Sequence, residues 1–130
     1  MTPRSRDLAL VAAGGALGAI GRYAVGTAVP HPAGGWPWAT SAVNVSASLL
    51  IGVLAGWAYW RHAADWVRPL LMSGFLGGFS TYSAFAVDTV GLVEAGSGGL
   101  AVAYVVVTLM ACVGAVGLGT VVAQALWRPR

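Results

Sequence analysis

Ser80, Thr81, Tyr82 and Ser83 place four hydroxyls in a row inside an otherwise apolar stretch. A hydroxyl donates and accepts, so here it either bonds nearby backbone or serves a solute. The surrounding residues 72–85 also hold Gly74, Gly77 and Gly78, and each glycine weakens a helix by about 1 kcal/mol relative to alanine. A second set, Thr40, Asn44 and Ser48, recurs at steps of four and runs on into Gly52 and Gly56. A third set, Tyr104, Thr108 and Cys112, has the same spacing, which keeps each set on one helical face. These groups offer hydrogen bonds without a fixed negative charge. That chemistry suits a small anion or a neutral solute better than a cation.

Each feature also has a plainer reading. Glycines allow close helix packing. Asn44 can hold two helices together or donate to a passing anion, and the two roles are compatible. Tyr82 and Phe85 are three apart and share a helical face, as ordinary core aromatics would. The hydroxyls of Tyr104 and Thr108 and the thiol of Cys112 can bond carbonyls of their own helix or line a path. Arg22 continues the series Gly14, Gly18, Arg22 and Gly26. It either faces a bundle or wet vestibule or snorkels to the interface.

The elements that must position these groups are apolar and long. Only 8% of the residues are charged and 58% are hydrophobic, against about a quarter charged in a soluble domain. The composition identifies an all-α integral membrane protein. Four apolar runs, at about 8–29, 38–60, 67–93 and 100–126, each approach the roughly 20 residues needed to span a bilayer. They form a single transmembrane domain. The first run follows Arg4 and Arg6 and could imitate a signal peptide, but three further spans favour a retained anchor. The third run is expected to break in mid-membrane at residues 72–85. A broken backbone at that depth survives only against protein or a polar cavity.

Several function classes drop out. The basic balance comes from scattered arginines beside apolar runs, where they meet lipid headgroups, so nucleic acid is not a partner. A lone Cys112 permits neither an internal disulfide nor a cysteine-based metal cluster. No nucleophile and base pair or phosphate loop occurs, which argues against an enzyme. No acid is expected inside a span; Asp88 is read as marking the mouth of the third. A small multidrug-resistance type exporter is the alternative function, but it needs a titratable membrane carboxylate. A glycine-striped structural scaffold is a third reading, and it leaves the hydroxyl run unexplained.

The chain resembles the Fluc/CrcB family of fluoride channels. The resemblance rests on four spans, the early glycine run ending in Arg22-Tyr23, Ala39-Thr40 followed by Asn44, and the central run from Gly77 to Phe85. The family pattern there is close to GGxTTFSTF. The resemblance implies an antiparallel dimer with two pores and a sodium ion at its centre, held by the main-chain carbonyls of Gly77 and Ser80. It implies an anion path through Asn44, Tyr82, Phe85, Ser83, Thr40, Tyr104, Thr108 and Cys112, with Arg22 in the vestibule. Tyr82 stands where the family usually has phenylalanine, and Cys112 where a serine is expected.

The implied function is passive, fluoride-selective export from the bacterial cytoplasm across the inner membrane, which lowers fluoride toxicity. Orientation follows from charge. With four spans, Arg4, Arg6, Arg61, Arg68, Arg128 and Arg130 fall on one side, and the positive-inside rule puts both termini in the cytoplasm. The partner in the antiparallel dimer is either an inverted copy of the chain or, as the biased charge suggests, an oppositely oriented homologue.

Overall fold

The computed structural model describes residues 2–129; Arg130 lies outside them. Among the described residues the chain is all helical. Helix α1 spans Pro3–Ala28 and α2 spans Trp38–Trp60. A π-helical segment, Arg68–Leu76, leads directly into a short α3, Gly77–Phe79. Helix α4 spans Tyr82–Glu94 and α5 spans Gly98–Trp127. By length and composition four helical stretches can cross a membrane, namely Arg4–Ala28, Trp38–Trp60, Arg68–Glu94 and Gly98–Trp127. The chain is therefore a multi-pass membrane protein.

Two helix pairs carry the packing: α2 against α5, and α1 against the π-helical segment and α3. Each rests on glycines that let backbones meet. A Cβ added at Gly119 would stand 2.9 Å from Val53 N and 3.1 Å from Gly52 Cα. One added at Gly18 would stand 2.7 Å from Phe79 N. Association in lipid depends on such close van der Waals fit, because apolar side chains gain little by leaving one apolar medium for another. Gly26, the last of the first-helix series, has no such neighbour.

The buried cluster is small: Phe85, Leu92, Ala101 and Tyr104, with Trp36 packed against it. Tyr104 meets Trp36 edge-on at 5.5 Å and Phe85 at 5.1 Å between ring centres. Most large apolar side chains of α5 face outward, as a lipid-facing helix requires. The connections hold both histidines. His31 and His62 are exposed there, and His62 takes a positive φ of 48° in the turn after α2.

Asp88 lies in α4, within the stretch Arg68–Glu94 and about two turns from its end. An acid is therefore present inside an apolar span, and it has partners there.

Candidate functional site

The joint between α3 and α4 positions the site. Ser80 (φ −70°, ψ 155°) and Thr81 (φ −150°, ψ 124°) are extended between two helical pieces. Thr81 is the N-cap of α4: its Oγ1 accepts the Ala84 N–H at 3.1 Å and lies 3.1 Å from Ser83 Oγ. A threonine cap of this kind satisfies a donor that the first turn leaves orphaned. Ser80 turns its hydroxyl back to donate to the Leu76 carbonyl at 2.8 Å.

Two distant side chains hold the joint. Asn44, on α2, accepts the Thr81 N–H at 2.8 Å through Oδ1 and donates from Nδ2 to the Thr81 carbonyl at 3.0 Å. That pair replaces a helical turn's worth of backbone bonding and leaves one Nδ2 hydrogen uncommitted. Arg22, on α1, donates from Nε to the Gly78 carbonyl at 3.3 Å. Arg22 thus turns inward to the end of α3 instead of snorkelling, which suits a guanidinium in an apolar span.

Beside the joint lies a cavity of about 220 Å³. Asn44, Ser48, Ser80, Thr81, Tyr82, Phe85, Thr108 and Cys112 line it, with Leu109. The Thr108 hydroxyl is buried and has no hydrogen-bond partner in the protein. Such an orphan is uncommon and calls for a ligand or water. Tyr82 and Phe85 are 6.0 Å apart between ring centres; Phe85 is buried, whereas Tyr82 is 82% exposed on the single chain. Ring edges are electropositive and can face an anion. Ser48, third in the step-of-four set of α2, joins the cavity although the resemblance does not place it on the anion path.

The remaining expected residues gather elsewhere. Thr40 donates to Asp88 Oδ2 at 2.5 Å, and the Tyr104 hydroxyl reaches the same oxygen at 3.5 Å. Tyr104 is fully buried and is not among the cavity's lining residues. A second cavity of about 230 Å³ is lined by Arg22, Tyr23, Thr27, Thr40, Thr81 and others. Thr81 borders both cavities. Ser83 is exposed and lines neither.

Gly77 and Ser80 offer backbone oxygen only. In a continuous helix the Thr81 N–H would bond the Gly77 carbonyl and the Ala84 N–H the Ser80 carbonyl. Neither bond forms. Gly77 is exposed, and nothing lies within 4 Å of where its Cβ would be. Carbonyls stripped of their helical donors are suitable ligands for a hard cation. Among the described residues no group of three or more His, Cys, Asp or Glu stands together as a metal site.

Comparison with known proteins adds an independent line. The family model described as CrcB-like protein, Camphor Resistance (CrcB), matches residues 9–120. The chain is 46% identical over 112 residues to the "Fluoride-specific ion channel FluC" of Rhodospirillum centenum, covering 84% of this chain and 88% of that one. It is 44% identical over 114 residues to the protein of the same name from Novosphingobium aromaticivorans, covering 85% and 90%. It is 43% identical over 121 residues to the "Fluoride-specific ion channel FluC 1" of Mycobacterium bovis, covering 92% and 91%.

Proposed function

This chain belongs to the CrcB family, and from that premise we propose that it is a passive, fluoride-selective channel through which fluoride leaves the bacterial cytoplasm. It is a channel and not an enzyme. The observation that carries the reading is the cavity beside the joint, where Asn44, Phe85, Thr108 and Cys112 meet with an unpartnered hydroxyl. Fluoride is small and strongly hydrated, so a selective path must replace water with donors at close quarters. The spare Nδ2 hydrogen of Asn44, the Thr108 hydroxyl and the ring edges of Tyr82 and Phe85 are such donors. Arg22 and the threonines of the neighbouring cavity form the vestibule that feeds them.

A carboxylate inside the third span revives the one requirement of a multidrug exporter. Asp88, however, is engaged by Thr40 and Tyr104, and the relatives' names favour the channel.

The working unit we propose is an antiparallel dimer. The Gly77 and Ser80 carbonyls would hold the sodium ion that the resemblance implies, and it would supply fixed positive charge there. Glycine and serine fit this role because the ligands are backbone oxygens. Tyr82, outward on the single chain, then faces the partner subunit. The positive-inside rule, applied to Arg4, Arg6, Arg61, Arg68 and Arg128, supports both termini on the cytoplasmic side of the inner membrane, with an oppositely biased homologue as the partner. Labelling a C-terminal tag from each face tests this arrangement. Label from the cytoplasmic side alone is expected; comparable labelling from both sides contradicts it and indicates a homodimer. The function is tested in cells that lack their own fluoride exporter. Expression of this chain with its partner should restore growth in fluoride, and no restoration would count against the proposal.

A further inference from the structure

The joint between Phe79 and Tyr82 is kept open by two side-chain oxygens, and each draws a donor away from one particular carbonyl. Asn44 Oδ1 takes the Thr81 N–H at 2.8 Å, which in a continuous helix belongs to Gly77. Thr81 Oγ1 takes the Ala84 N–H at 3.1 Å, which belongs to Ser80. The carbonyl of Gly78, between them, is treated differently: Arg22 Nε donates to it. Ser80 folds its own hydroxyl onto Leu76 and presents only its backbone. Gly77 and Ser80 are left without helical donors, as is Phe79, whereas Gly78 is taken by Arg22.

We propose that Asn44 and Thr81 are positioning residues for the sodium site: by drawing off the Thr81 and Ala84 N–H groups, their side chains keep the Gly77 and Ser80 carbonyls open for a hard monovalent cation. The inference rests on the sodium reading given above. It gives Asn44 two separable jobs, one on each end of its amide. Oδ1 acts on the cation site through the Thr81 N–H. Nδ2 holds the Thr81 carbonyl and has one hydrogen uncommitted, and Asn44 lines the cavity. An alanine at position 44 removes both jobs. An aspartate keeps an acceptor for the Thr81 N–H, loses the donors, and puts negative charge where an anion must pass.

The test reads sodium binding apart from conduction. Purified protein, with its partner where one is required, is held in N-methylglucamine and its thermal unfolding followed as sodium is added. The sodium concentration giving half of the thermal shift reports the affinity. Asn44→Ala and Thr81→Ala should raise that concentration about twofold to tenfold, the scale of one lost hydrogen bond between neutral groups. Asn44→Asp and Thr81→Ser should leave it no higher than in the unsubstituted protein. Asn44→Asp should nevertheless lose fluoride efflux, as Asn44→Ala does. Bonds that merely brace the bundle would lower the melting temperature equally with and without sodium and leave the half-saturating concentration unchanged; that result overturns the proposal. Should Asn44→Ala fail to fold, Thr81→Ala against Thr81→Ser decides by the same readout. An unsubstituted protein with no sodium response would overturn the sodium site itself, and this inference with it.

Discussion

Replacing Thr108 with valine separates a hydroxyl that serves a solute from one that serves the fold. Thr108 is 3% exposed, and its Oγ1 has no partner. It does not fall back on a carbonyl of its own helix, the usual refuge of a threonine in a span. A buried, unpartnered hydroxyl costs about 1–3 kcal/mol. Valine keeps the shape and removes the oxygen, so Thr108→Val should stabilise the protein by about 1 kcal/mol, a rise of about 3 °C in melting temperature. If the hydroxyl meets the anion at the barrier, its loss forfeits a hydrogen bond to a charged group, about 1.5–3 kcal/mol. That corresponds to a fall of about tenfold to a hundredfold in rate. Thermal unfolding and fluoride-electrode efflux from proteoliposomes measure the two quantities on one preparation, with Thr108→Ser as control. Greater stability with much slower efflux is the expected combination. Unchanged efflux would refute the reasoning, and so would a destabilised protein, which would mean that the hydroxyl has a structural partner.

Three further outcomes follow from the packing and the polar contacts. Gly119→Ala drives a methyl into the backbone of α2 at Val53 and Gly52, and should destabilise the protein by about 1–3 kcal/mol, read as a lower melting temperature. Asp88→Ala releases both Thr40 and Tyr104; it should destabilise by about 1.5–3 kcal/mol, with Asp88→Asn, which keeps an acceptor, losing clearly less in the same melts. Arg22→Met strips the Gly78 carbonyl of its donor and should cost about 1.5–3 kcal/mol of stability, whereas a true surface snorkel would change it by no more than about 0.5 kcal/mol.

What the sequence made legible was local. Twenty apolar residues in a row announce a span whatever else the chain does, and steps of four put Gly52 beside α5 and Thr108 on the face of Cys112 because helical geometry fixes those faces. The hydroxyl run marked the joint because serine and threonine compete with the helical ladder. Pairings across long separations were not legible. Asn44 meets the Thr81 backbone across 37 residues, Thr40 meets Asp88 across 48, and Arg22 meets Gly78 across 56. Nothing in the spacing of either partner specifies the other. The partners of Asp88 were hidden for that reason: a lone acid near the end of an apolar run does not announce the threonine and tyrosine that hold it. Tyr104 shares the stripe of Thr108 and Cys112, yet its longer side chain reaches Asp88 and packs on Phe85 and Trp36. A stripe fixes a face and not the reach of each side chain along it.

The central claim is that this chain provides a passive path for fluoride and not for chloride. The most direct measurement is efflux of each anion from liposomes containing the purified chain, first alone and then with an oppositely biased homologue from the same genome. Rapid fluoride efflux with chloride retained, in at least one of the two preparations, is the expected result. Retention of fluoride in both preparations, or release of chloride at a matching rate, would contradict the account.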